Sequence, residues 1–77
     1  MNLKERVTQI IRQEWGDHLA STEFKGPYEG EDLFVYVNLR EEPADYDQRE
    51  ARMRDRVWDL GHDVGLVVDL VDDLVPA

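Results

Sequence analysis

Two stretches dense in β-branched and aromatic residues flank a charged segment of helical periodicity, and this alternation constrains the fold more than any other feature. The first is 32–39, Asp-Leu-Phe-Val-Tyr-Val-Asn-Leu, and the second is 65–71, Gly-Leu-Val-Val-Asp-Leu-Val. Strand, helix and strand in that order make a crossover unit, which sets the two strands parallel and is right-handed in nearly every known case. Residues 32–39 are apolar on both faces over much of their length, as a central strand requires. The segment between them, 45–63, carries Tyr46, Met53, Val57 and Leu60 at helical spacing, in a stripe that runs on to Val64. Asp45, with Gln48 three residues on, has the form of a capping box at its start. Asp72, Asp73 and Pro76 mark the exit of the last strand.

Ahead of this unit, Leu3, Val7, Ile10, Ile11 and Trp15 recur at helical spacing, with charged and amide side chains on the other face. Asn2 and Glu5 suit a capping box, and Gly16 can take the left-handed conformation that closes such a helix. From 18 to 25 the period shortens to two, with Ala20, Thr22 and Phe24 alternating against Leu19, Ser21 and Glu23. Residues 25–32 gather two Gly and a Pro, which predicts a chain reversal and an antiparallel pairing of the flanking strands. The expected fold is one small two-layer domain over 1–77, α+β or α/β in class, in the order α-β-β-α-β. Its three-stranded mixed sheet combines an antiparallel hairpin with one parallel strand, and its two helices lie on a face. At 77 residues the chain suits one core and not two.

Composition narrows the function classes. Eighteen acidic residues against nine basic ones give a formal charge of −9, which opposes the counterion release that drives binding to DNA or RNA. The absence of cysteine excludes a disulfide scaffold, a thiolate zinc site and a cysteine nucleophile. No apolar run approaches the ~18 to 20 residues of a spanning helix, and 1–12 lacks the apolar centre of a signal peptide, so a soluble cytoplasmic protein is expected. Ten Asp and eight Glu face seven Arg and only two Lys, a surface that would stay hydrated in high salt.

Strand 35–39, the helix after it and the strand containing Val67-Val68-Asp69-Leu70-Val71 resemble the minimal nucleotidyltransferase domain, a small relative of DNA polymerase beta. In that family three carboxylates hold two divalent ions, which activate the attacking oxygen and neutralise the nucleotide phosphates. The resemblance implies that Gly26 occupies the place of the phosphate-approaching glycine, while Pro27 stands where the family has serine. It implies Asp32 as the first carboxylate and Asp69 as the third, with Phe34 at the second position and Glu31 as an added candidate. Magnesium is the cofactor that this reading implies. The substitutions at 27 and 34 imply a degenerate site.

The same residues have plainer readings. Asp32 suits a strand entrance, the acidic turn around Glu29 and Glu31 suits solvent, and Asp69 fits ligation and an edge strand open to water equally well. His18 and His62 sit beside Asp17 and Asp63 but point to different faces, and both are placed at helix ends. Trp58 lies one position off the apolar stripe of the second helix and is a candidate interface anchor. Phe34 and Tyr36 are candidates for a sheet face that no helix covers. The sequence therefore points first to a noncatalytic module that binds a protein partner or a second copy. The second reading is a divergent metal-dependent nucleotidyltransferase transferring a nucleoside monophosphate. The third is an RNA-associated domain presenting Arg49, Arg52, Arg54 and Arg56 on one face, although 49, 52 and 56 align at helical spacing while Arg54 aligns with Glu50, so mixed ion pairs account for the arginines more simply.

Overall fold

A computed structural model of the chain describes residues 2–25 and 32–71. Its elements are α1 (Leu3–Trp15), a short 3-10 turn (Gly16–His18), β1 (Leu19–Lys25), β2 (Leu33–Leu39), α2 (Tyr46–Trp58) and β3 (Val64–Leu70). The sheet has the order β1-β2-β3, with β1 and β2 antiparallel and β2 and β3 parallel, as the patterning predicts. Among the described residues, no helix is long and apolar enough to cross a membrane.

One cluster forms the core. Val7, Ile10, Ile11 and Trp15 from α1 meet Val35, Val37 and Leu39 from β2 and Met53 and Val57 from α2. Because alternate residues of a strand point to opposite faces, the burial of 35, 37 and 39 puts both helices on one side of the sheet. The indole of Trp15 is fully buried and donates through Nε1 to Met53 Sδ at 3.1 Å, so its polar atom is not stranded. Its ring lies 5.4 Å from that of Tyr46, which fixes α1 against the start of α2.

The caps follow the sequence at one helix and depart from it at the other. Asn2 Oδ1 accepts from the Glu5 backbone N–H at 2.8 Å, and Gly16 ends α1 with φ +53°. Replacing Asn2 with Ala strands that donor and is expected to cost about 1 kcal/mol, lowering Tm by about 4–8 °C in a thermal melt. Asp45 makes no side-chain cap. Its carboxylate instead accepts from Arg49 Nε at 2.7 Å, one turn along α2.

Helix α2 also stops at Trp58, short of the predicted 63. Gly61 takes φ +78°, which turns the chain out of the helical path, and Leu60 and Val64 reach the core from the turn and from β3. Their spacing continues the helical stripe only because both elements border the same core. His18 belongs to the 3-10 turn, and β3 begins at Val64 and ends at Leu70, each one residue earlier than the apolar run predicts.

Candidate interaction surface

The register of the sheet decides what its helix-free face presents. Tyr36 pairs with Glu23 and Val67, Phe34 with Lys25 and Gly65, and Asn38 with Ser21 and Asp69. These residues share the face opposite Val35, Val37 and Leu39. The Phe34 and Tyr36 rings meet edge to face at 5.2 Å, and Asn38 Nδ2 donates to Ser21 Oγ at 3.2 Å. Phe34 and Tyr36, singled out from sequence, are thus brought together in the middle of this face, each half-buried. Trp58 is 78% exposed at the end of α2, and Leu70 is 56% exposed at the end of β3. Trp58 borders a shallow depression of about 420 Å³ with Gly61, His62 and Asp63.

The two edges of the sheet are unlike. The β1 edge alternates Ser21, Glu23 and Lys25 with its inner residues and carries a register shift between Leu19 and Ser21. Charged residues and irregular pairing both discourage another strand from adding there. The β3 edge is uncharged from Val64 to Val68 and keeps one register over its whole length. Val71 N–H donates to the Leu39 carbonyl at 2.7 Å, so the odd-numbered residues of this ladder face β2 and the even-numbered backbone groups face outward. The Leu66 carbonyl, one of these outward groups, receives a long 3.4 Å bond from Arg54.

The carboxylates of the nucleotidyltransferase resemblance fall at opposite ends of the β2–β3 ladder. Asp32 precedes the Leu33–Val64 pair, whereas Asp69 pairs with Asn38. Six residue steps along the chain separate Asp69 from Asp63, beside which Asp32 lies, a span of roughly 20 Å. Both are exposed. Asp32 instead ties the two parallel strands together at their start: its backbone N–H donates to the Asp63 carbonyl at 2.8 Å, and its Oδ2 accepts from Asp63 N–H at 2.9 Å. His62 Nδ1 lies 3.5 Å from the same oxygen. Gly26 and Glu31 lie outside the described residues, as do Pro27 and Glu29. Among the described residues, no three acidic or histidine side chains are grouped so as to hold a metal ion.

The arginine face of α2 is turned inward onto α1. Glu14 is the hub: its carboxylate accepts from Arg52 Nε and from Arg56, both at 3.0 Å, and its backbone carbonyl accepts from Arg49 at 2.7 Å. Burial raises the pKa of Glu14, but the hydrogen bonds and positive charges of Arg52 and Arg56 outweigh it and hold the carboxyl below the usual glutamate range. The Arg49 hydrogen bond likewise lowers Asp45. Burial, reinforced by the Glu50 carboxylate, raises the Tyr46 phenol. His18 Nδ1 lies 3.0 Å from Glu41 Oε1 without making a hydrogen bond.

Glu14 carries no sequence signal of its own, since its partners lie 35 to 42 residues away. The spacing of Arg49, Arg52 and Arg56 on one helix face is the only local clue to it. Comparison of the chain with protein-family models, with curated proteins and with solved structures finds no match, so its function rests on what this surface can do.

Proposed function

We propose that the chain is a noncatalytic binding module that acts through protein contacts made by the open sheet face and the outer edge of β3. The observation that carries this reading is the placement of apolar surface away from the helices. The Phe34–Tyr36 ring pair, Val67 and the uncharged edge strand adjoin one another, in a chain whose net charge is −9. Parallel strands are ordinarily covered on both faces, and among the described residues β3 is covered by helices on only one. The nucleotidyltransferase alternative needs carboxylates that converge, and Asp32 and Asp69 stand a strand's length apart.

A titration of isotope-labelled protein with magnesium and ATP, followed through backbone amide signals, separates the two. The binding-module reading expects no shift localised at Asp32 or Asp69 up to millimolar ligand. Saturable shifts at either carboxylate that require magnesium and vanish in Asp69→Asn would overturn it in favour of nucleotide chemistry.

A further inference from the structure

We infer that the depression beside Trp58 takes an arginine side chain of a partner protein, whose guanidinium stacks on the indole and pairs with Asp63. The site lies at the end of α2, apart from the open sheet face, and goes beyond the contact proposed there.

The case begins with a tryptophan that the core does not use. Trp58 is 78% exposed, whereas Trp15 is fully buried. Helix α2 directs Met53 and Val57 into the core, and Trp58, the next residue on the helix, therefore faces outward at its last turn. The chain then leaves the helix through Gly61, at φ +78°, and the turn frames the depression of about 420 Å³ bordered by Trp58, Gly61, His62 and Asp63. An exposed indole thus borders a hollow that also carries a carboxylate.

Charge selects the occupant. Asp63 is exposed; its backbone groups are engaged by Asp32 and Leu33, but its carboxylate has no cationic partner among the described residues. Asp55 and Asp59 follow each other by four residues at the same end of α2, where like charges repel and the helix dipole disfavours negative charge. The arginines nearest in sequence are committed elsewhere: Arg54 to Glu50 and the Leu66 carbonyl, Arg56 to Glu14 and Gln13. Lys4 lies over the Phe24 ring, and among the described residues no lysine or arginine lies over Trp58. An open indole face beside unpaired carboxylates is a cation site that the chain does not fill itself.

Guanidinium suits it better than ammonium. It is planar and weakly hydrated, so it can lie flat on the indole while its edge N–H groups reach a carboxylate. A shallow site leaves most of a small ligand in water, so the arginine belongs to a polypeptide whose further basic residues meet Asp55 and Asp59. The chain's charge of −9 draws such a partner in.

Isotope-labelled protein titrated with a short peptide of alternating glycine and arginine tests the site. Saturable shifts are expected at the Trp58 indole N–H and at the amides of Gly61, His62 and Asp63. Trp58→Ala should weaken binding about two- to fivefold, and Asp63→Asn about twofold. Asp47→Asn removes the same charge about 16 Å away along α2, and at ~0.15 M salt it should leave the affinity unchanged. The lysine counterpart of the peptide and N-acetylarginine amide should each bind at least about twofold more weakly. All three substituted side chains are exposed, so the variants keep the fold, which circular dichroism checks.

Absence of shifts through millimolar peptide overturns the site, as do shifts spread over the surface that Asp47→Asn and Asp63→Asn weaken alike. An affinity unchanged in Trp58→Ala does the same. A lysine peptide that binds as tightly overturns the choice of guanidinium, and N-acetylarginine amide that binds as tightly as the peptide overturns the choice of a polypeptide. None of these outcomes involves Phe34 or Tyr36, so failure of this site is distinguishable from failure of the binding-module reading.

Discussion

Trp15→Ala is expected to bring the protein to the edge of unfolding at 25 °C. Stability of about 0.05–0.15 kcal/mol per residue puts a chain of this length on the order of 4–12 kcal/mol, and truncating a buried tryptophan costs about 3–5 kcal/mol. Trp15 is fully buried and touches both Met53 and Tyr46 of α2, so its loss leaves a cavity between the two helices and not at the rim of the core. Tm should fall by at least ~15 °C, with the urea midpoint moving in proportion. Trp15→Phe keeps a ring in the site and removes the donor to Met53 Sδ. Because a thioether is a weak acceptor, little is stranded, and a milder loss of about 1–2 kcal/mol is expected. Far-ultraviolet circular dichroism against urea measures all three proteins. Trp58, 78% exposed, leaves Trp15 as the indole whose emission shifts on unfolding. An alanine variant with a wild-type midpoint would mean that the interface between the helices contributes little.

The fold was legible because each element announces itself by period. Leu3 to Trp15 and Tyr46 to Val57 repeat at helical spacing, and Leu33 to Leu39 and Val64 to Leu70 are too short and too β-branched to be anything but strands. The misplaced boundary of α2 shows the limit of that signal. Leu60 and Val64 fall on the helical stripe and do reach the core, but from beyond Gly61, since periodicity records which residues face inward and not which element carries them. Asp45 failed as a capping box for a similar reason: a capping oxygen is also a salt-bridge acceptor, and Arg49 one turn away competes for it.

The candidate site was less legible. Phe34, Tyr36 and Trp58 stand out in the sequence because each is a large aromatic side chain set off the stripe that fills the core. The separation of Asp32 from Asp69 depends on how two strands align, which no local pattern encodes. The contrast between the β1 and β3 edges likewise emerges only once the strand order β1-β2-β3 shows which strands lie outside.

Glu14→Gln is the substitution expected to change how stability depends on pH. The Glu14 side chain is 10% exposed, while Arg52 and Arg56 are 55% and 41% exposed, so the carboxylate is the member of the cluster with least access to water. Hydrogen bonds to a charged group contribute about 1.5–3 kcal/mol, and the exposed arginines recover part of their hydration, so a loss of about 2 kcal/mol at neutral pH is expected. The sign follows from the lowered pKa. A carboxyl held below its ordinary value of 4.5 stabilises the fold fully above that value and loses this contribution as pH falls through the depressed one. The gap in urea midpoint between wild type and Glu14→Gln should therefore stay constant from about pH 7 to pH 5 and narrow below about 4.5. Protonating carboxylates also relieves the repulsion of a chain at −9, which acts in the opposite direction. At ~0.15 M salt the Debye length is about 8 Å, so contacts at 3.0 Å survive while repulsion across the surface is largely screened. A gap that remains constant down to about pH 3 would mean that the Glu14 charge contributes nothing, and that Arg52 and Arg56 hold α2 to α1 only through the aliphatic parts of their side chains.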